Sequence, residues 1–205
     1  MSYSYENQKI TLSIISDVLE KYHFKEKCPM GFGLFLGCVR QGKLNTSIND
    51  WDDLDFNVLN SDWGELTTVI IPELIEHGFE CLHSHVNTAG HISEVTLRYG
   101  KDRVDFHKNY KLSSGYLHYS WYGGYELGKV MKSKYFLDIK KYKIEGYYFY
   151  GPTDSAGYLI DLYGKNWTIP CKSEDEYKFW ENSPGIPWNF RKRGEKIIKG
   201  EYNVK

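Results

Sequence analysis

The sequence is poor in the features that mark secreted or membrane chains. It has four cysteines (Cys28, Cys38, Cys81 and Cys171), none in a C-x-x-C pair. That scatter argues against a disulfide framework and predicts reduced thiols. No stretch approaches the roughly 18 consecutive apolar residues of a membrane span. The opening "MSYSYENQKITLSII" lacks the charged region and apolar run of a signal peptide. The expectation is therefore a cytoplasmic protein with no membrane span. A formal net charge of −1 gives no global pull toward polyanions, so no nucleic-acid partner is expected, although a local basic patch can still meet phosphate. There is no internal repeat, low-complexity block or clear linker. The 205 residues suit one domain with a sizeable core, and the texture changes near Tyr110.

The first half reads regularly. "NQKITLSIISDVLEKY" puts Ile10, Ile14, Ile15, Val18 and Leu19 on one helical stripe. "CPMGFGLFLGCVRQGK" reads as a strand end running into a short helix, and "LNTSIND" as a polar loop. "WGELTTVIIPELIEHGFE" predicts a helix ending near His77 and Gly78. "FECLHSHVN", "ISEVTLRYG" and "DRVDFHKNY" predict three strands. Beyond them, "KLSSGYLHYSWYGGYELGKV" reads as loop or edge structure and "KIEGYYFYGP" as a strand. "TDSAGYLIDLYG" reads as a helix capped by Thr153 or Asp154 and stopped by Gly164. "SEDEYKFWEN" predicts a short helix.

The stretch that stands out is "WDDLDFNVL", which sets Asp52, Asp53 and Asp55 in an otherwise buried strand. Strand side chains alternate, so Leu54, Phe56 and Val58 face one way and Asp53, Asp55 and Asn57 the other. Paired carboxylates repel unless a cation lies between them, and hard oxygens suit Mg²⁺ or Mn²⁺. A solvated strand end is the plain alternative. "DRVDFHKNY" repeats the alternation around Asp105, and pairing of the two strands would bring Asp105 beside Asp53 and Asp55. Such a trio can hold one or two divalent ions against phosphate oxygens. Upstream, "GFGLFLGCVR" places Gly31, Gly33 and Gly37 where a strand meets a helix, and bare amides there attract anions. Arg40 can clamp a phosphate. Tight packing is the other reading of those glycines.

This order of glycine turn, short helix, D-x-D strand and later single Asp resembles the nucleotidyltransferase-fold superfamily, the palm of DNA polymerase beta. Within it, "GLFLGCVR", "WDDLDF" and "YGKNWTIP" look like the motifs of the LicD/fukutin family, over about residues 31–170. The resemblance implies an α/β fold with a mixed sheet: one domain over residues 1–205, with a catalytic palm over about 7–110 and a C-terminal extension over about 111–205. It implies a phosphotransferase that moves phosphocholine, ribitol phosphate or a similar phospho-alcohol from a CDP-linked donor to a glycan hydroxyl. Carried over by motif, Asp53 and Asp55 are metal ligands, and Asp105 is the third carboxylate, a ligand or the general base. Gly33, Gly37 and Arg40 line the donor pyrophosphate. Tyr163, Gly164, Trp167 and Pro170 shape the far wall. The chain departs from the family at Leu34, where a small hydroxylated residue is usual, and in the loop before Trp51.

Weaker signals surround these. His77, His83, His85 and His91 cluster with Cys81, but their spacing matches no tight zinc pattern. His107, two residues beyond Asp105 on the same predicted face, can touch phosphate or acceptor but reads better as a surface histidine; Asp154 reads as a cap and Asp161 as an exposed helix charge. The aromatics can stack on a ring or pack in the core, and Arg191, Lys192 and Arg193 read as a solvated basic face. Two alternatives to phosphotransfer follow: a nucleotidyltransferase attaching a nucleoside monophosphate to a small molecule or a protein, and a non-catalytic binding module of the same fold.

Overall fold

The fold is taken from a computed structural model, which describes residues 5–44, 53–86, 91–122, 125–170 and 189–192. Expectations for the loop with Trp51 and Asp52, the helix over "SEDEYKFWEN" and the basic side chains of residues 191–193 lie outside the described residues. The elements run α1 (Tyr5–Lys21), α2 (Phe32–Gln41), β1 (Leu54–Leu59), α3 (Trp63–Glu65), a π-helical turn (Leu66–Ile70) and α4 (Ile71–Glu76). Next come β2 (Glu80–Val86), β3 (Ile92–Tyr99), β4 (Asp102–Leu112), β5 (Gly115–Tyr122), β6 (Tyr125–Met131) and α5 (Lys134–Leu137). The described chain ends with β7 (Ile139–Ile144), β8 (Tyr147–Pro152), α6 (Ser155–Tyr163) and β9 (Asn189–Lys192).

One seven-stranded sheet runs β2-β3-β4-β5-β6-β9, and β1 joins it as a parallel partner of β4. The β1–β4 register follows from the apolar face of each strand. Leu54 lies opposite Val104 and Phe56 opposite Phe106, all buried, and the two phenyl rings stack 5.7 Å apart. A slip by one residue would turn these rings to solvent and the aspartates inward. Each fully buried phenylalanine contributes about 1.5–3 kcal/mol against such a slip.

The sequence misleads in two places. "KLSSGYLHYSWYGGYELGKV" is not loop structure but the antiparallel pair β5–β6, extending the main sheet. Its tyrosines and glycines mimic turn composition, while the aromatics carry strand propensity. In α1, Leu12, Ile15, Val18 and Leu19 face the core, whereas Ile10 is about half exposed at 52%; the buried stripe is narrower than the apolar pattern.

The C-terminal hairpin β7–β8 and α6 pack on the same core as α2 and β1. The segment before α2 is the joint. Met30 N–H donates to the Tyr150 carbonyl (2.8 Å), Asn57 N–H to the Pro29 carbonyl (2.8 Å) and Gly31 N–H to the Asp55 carbonyl (2.9 Å). This links α2's start to β1 on one side and to β8 on the other. Among the described residues, no helix is long and apolar enough to cross a membrane.

Gly151 on β8 tests how tightly that joint is packed. A Cβ there would overlap the Phe35 ring of α2, with Phe35 Cδ2 at 2.8 Å. Gly64 in α3 has nothing within 4 Å of the same added atom. Gly151→Ala is expected to cost about 1–3 kcal/mol. Gly64→Ala is expected to be neutral or to stabilise by up to about 1 kcal/mol. Chemical-denaturation midpoints of the two variants check this; equal midpoints would contradict the packing at Phe35.

Candidate active site

Asp55 on β1 and Asp105 on β4 are direct neighbours in the parallel ladder. Asp53 immediately precedes β1, and the D-x-D spacing turns it to the same side. The predicted trio therefore assembles through strand alternation and the β1–β4 pairing. The opposite face holds the Phe56 and Phe106 rings, which lock the strands in place.

The carboxylates are held by Thr96 and Arg103, which the sequence reading did not name, and by His107, which it placed at the surface. Thr96 on β3 lies opposite Asp105, and its Oγ1 donates to Asp105 Oδ1 at 2.5 Å. Arg103 is two residues before Asp105 and shares its face. Its guanidinium lies 3.5 Å from Asp53 Oδ2 and 3.6 Å from Asp105 Oδ2. His107, two residues after Asp105, is buried rather than a surface histidine. Its Nε2 is 3.0 Å from Asp55 Oδ1, and its Nδ1 is 3.4 Å from Oε2 of the buried Glu94, its ladder partner on β3. Phe32 of α2 packs its ring 5.1 Å from that of His107 and 4.7 Å from that of His118. In "DRVDFH", the alternation Arg103–Asp105–His107 was a legible signal. Glu94 and Thr96 join only through the β3–β4 register, which the sequence does not state.

Charge balance governs this cluster. Four carboxylates (Asp53, Asp55, Glu94 and Asp105) face two cations (Arg103 and His107), so full ionisation would leave an excess of two negative charges. Burial, then the like charges of Asp105 and Asp55, push the Asp53 carboxyl up to about 8. Burial also pushes Asp55 up to about 6, against the pull of His107. Burial disfavours the His107 cation, yet Asp55 and Glu94 hold its pKa well above the ordinary histidine value. Burial likewise works against ionised Glu94, but His107, with His85 and His83 beyond, keeps it below the usual carboxylate range. The cluster therefore keeps a proton where a divalent ion would otherwise supply charge. Its oxygen donors fit Mg²⁺ or Mn²⁺. One ligand atom each from Asp55, Asp105 and His107 lies within 4.8 Å of the others.

Helix α2 begins beside these oxygens. A Cβ on Gly33 would sit 3.8 Å from Asp55 Oδ2, so α2's first turn opens toward the carboxylates. The amides of that turn lack intrahelical acceptors and carry the positive end of the helix dipole. Phe32 enters the helix at a φ of 38°, in the left-handed region, and its N–H donates to Tyr158 Oη at 3.5 Å. Tyr158 Oη also accepts from Asn57 Nδ2 at 3.5 Å. Gly37 is buried one turn along, and its amide belongs to the helix ladder. Arg40 closes the last turn, about 10 Å beyond Gly33 along the axis.

Other expectations resolve differently. Asp154 caps α6, accepting from Gly157 N–H at 2.9 Å, and Gly164 ends the helix at a φ of 80°. Asp161 is not an exposed helix charge. It is buried, accepts from Tyr135 Oη at 2.6 Å and pairs with Lys132 at 2.6 Å. From α6, Tyr158 reaches α2's N-terminus.

A carboxyl held protonated in the fold adds stability below its unfolded pKa of about 4 and loses it as pH rises through its folded value. Metal-free protein is therefore expected to melt at progressively lower temperature between pH 4 and pH 8. Asp53→Asn is expected to flatten the portion from pH 6 to pH 8. Melting temperatures in chelator-treated buffers check this; an unchanged slope in the variant would contradict the assignment of the proton to Asp53.

No family model and no curated protein matches the chain. Two solved structures of the aminoglycoside nucleotidyltransferase ANT(2'')-Ia are similar to it. One is a crystal structure in complex with adenylyl-2''-tobramycin, with 14% identity and a TM-score of 0.49 over 87% of this chain and 90% of that one. The other is a solution structure of the same antibiotic-resistance factor, with 13% identity and a TM-score of 0.50 over 89% of this chain and 86% of that one. The likeness to the solution structure corrects the LicD/fukutin resemblance, and with it the CDP-alcohol donor, the glycan acceptor and phospho-alcohol transfer. The glycine turn, D-x-D strand and third Asp carried the resemblance to the wider superfamily, not to LicD/fukutin in particular. "YGKNWTIP", the most family-specific motif, folds as a helix stop and the turn after it. The chain has the nucleotidyltransferase fold.

Proposed function

We propose that the protein is a metal-dependent nucleotidyltransferase that transfers a nucleoside monophosphate from a nucleoside triphosphate to a small-molecule hydroxyl. The carrying observation is the convergence of Asp53, Asp55 and Asp105 on one face of the sheet, against the open first turn of α2. In this reading Asp53 and Asp55 hold Mg²⁺ or Mn²⁺, with Asp105 as third carboxylate. The ion supplies charge neutralisation at the α-phosphate and at the leaving pyrophosphate. Amides of α2's first turn at Gly33 and Leu34 bind phosphate oxygens. Asp105, its carboxylate oriented by Thr96, accepts the proton of the attacking hydroxyl. The new bond joins that oxygen to the α-phosphorus, and the bond to the β-phosphate oxygen breaks to release pyrophosphate. His107 positions Asp55, and Arg103 balances charge until substrate arrives. The one domain is read as residues 1–205.

The test pairs each nucleoside triphosphate with a panel of hydroxyl acceptors that includes aminoglycosides, with Mg²⁺. Pyrophosphate release and an acceptor mass gain of one nucleoside monophosphate are the readouts. Loss of several kcal/mol of metal-based transition-state stabilisation predicts that Asp53→Asn or Asp55→Asn lowers turnover about a thousand-fold. Unchanged turnover in both variants would sink this assignment. Nucleotide binding with no product from any acceptor would point to a binding module instead.

A further inference from the structure

The polar face continues past Glu94 onto β2, which lies at the end of the sheet path. His85 lies opposite Glu94 and His83 opposite Thr96. Since Glu94 pairs with His107 and Thr96 with Asp105, the two histidines stand on the same side of the sheet as the aspartates, two strands away from β4. The β2–β3 register shifts on each side of the pair, between Cys81 and His83 and again between His85 and Val86. Such irregularities re-aim strand side chains. The first shift puts Cys81 opposite Leu97, a core residue. The cysteine of "CLHSH" is thereby separated from its histidines, and Glu94 stands with them in its place.

We propose that His83, His85 and Glu94 form a second metal site, for Zn²⁺. One ligand atom from each residue lies within 4.8 Å of the other two, and His85 Nε2 is already 3.6 Å from Glu94 Oε1. A tetrahedral ion with bonds of about 2.0–2.2 Å needs ligand atoms roughly 3.4 Å apart, which small side-chain rotations supply. Two imidazoles and one carboxylate suit Zn²⁺, whereas the carboxylate oxygens of the aspartate cluster suit Mg²⁺. Glu94 is only 5% exposed, so its carboxylate is preset by the fold. Its two oxygens serve different partners: Oε2 faces His107 and Oε1 faces His85 and Thr96 Oγ1. Partners that hold both carboxylate oxygens in place are typical of metal sites. Three protein ligands leave a coordination position for water, and the exposed strand β2 gives the ion a route in and out. Glu94, His107 and Asp55 connect this site to the carboxylate cluster. The proposal does not depend on the nucleotidyltransfer reading.

The experiment is Zn²⁺ competition against a chromophoric chelator with the full chain in millimolar Mg²⁺, on the wild type and on His83→Ala, His85→Ala, Cys81→Ser and Asp55→Asn. X-ray absorption on the loaded wild type reads the ligand atoms. Altering a supporting residue of a metal site typically costs 10–100-fold in affinity, so losing a ligand is expected to cost about a hundred-fold or more. The expected pattern is one Zn²⁺ retained against Mg²⁺, weakened by that factor in both histidine variants. It is kept in Cys81→Ser and Asp55→Asn, with two imidazoles in the absorption spectrum. Circular dichroism confirms that the variants fold. Zn²⁺ affinity unchanged by both histidine substitutions, or lost only with Asp55→Asn or Cys81→Ser, would overturn the site, as would no retention in the wild type. A His85–Glu94 ion pair alone would then account for the geometry.

Discussion

Repulsion among buried carboxylates is the interaction on which this structure turns. Asp55 and Asp105 lie side by side in a ladder whose other face is sealed by Phe56 and Phe106. The acids cannot move apart without breaking that apolar contact. The protein answers with Arg103, with His107 between Asp55 and Glu94, and with an Asp53 carboxyl whose affinity for a proton is raised. A fold that only needed stability would gain by replacing such a cluster with apolar residues. Keeping it fits the use proposed above, in which a divalent ion and a polyphosphate take up that charge.

Position follows from the same constraint. The Pro29–Gly31 segment is tied to β1 and β8 at once, so α2 cannot drift from the carboxylates. Tyr158 reaches from α6 to the Phe32 amide and to Asn57, which makes the C-terminal half part of the site's frame. The left-handed φ at Phe32 is a local cost carried where the helix meets the carboxylates, a place where strain commonly serves function.

Much of this was legible in the chain. The period-two alternation of "LDFNV" and "RVDFH" gave the strands, their buried faces and the three aspartates, because burial and pleat impose that pattern directly. Asp154 and Gly164 bounded α6 by ordinary capping chemistry. What stayed hidden depends on pairing between distant strands. Glu94 and Thr96 become site residues only through the β3–β4 register, and Asp161 is buried by Tyr135 from another element. His107 was underweighted because a lone histidine gives no sign of two carboxylates waiting for it. The finer family assignment failed for a related reason: its shared motifs follow the strand alternation and helix ends of the fold, which do not specify donor or acceptor.

The central claim is that the enclosed carboxylates hold a proton that a divalent ion replaces. Calorimetric titration of Mn²⁺ at pH 7, in two buffers of different ionisation enthalpy, measures that exchange directly. Binding is expected to release about one proton per ion, and Asp53→Asn to lose that release. Mn²⁺ binding with no proton release, or no Mn²⁺ binding at all, would contradict it.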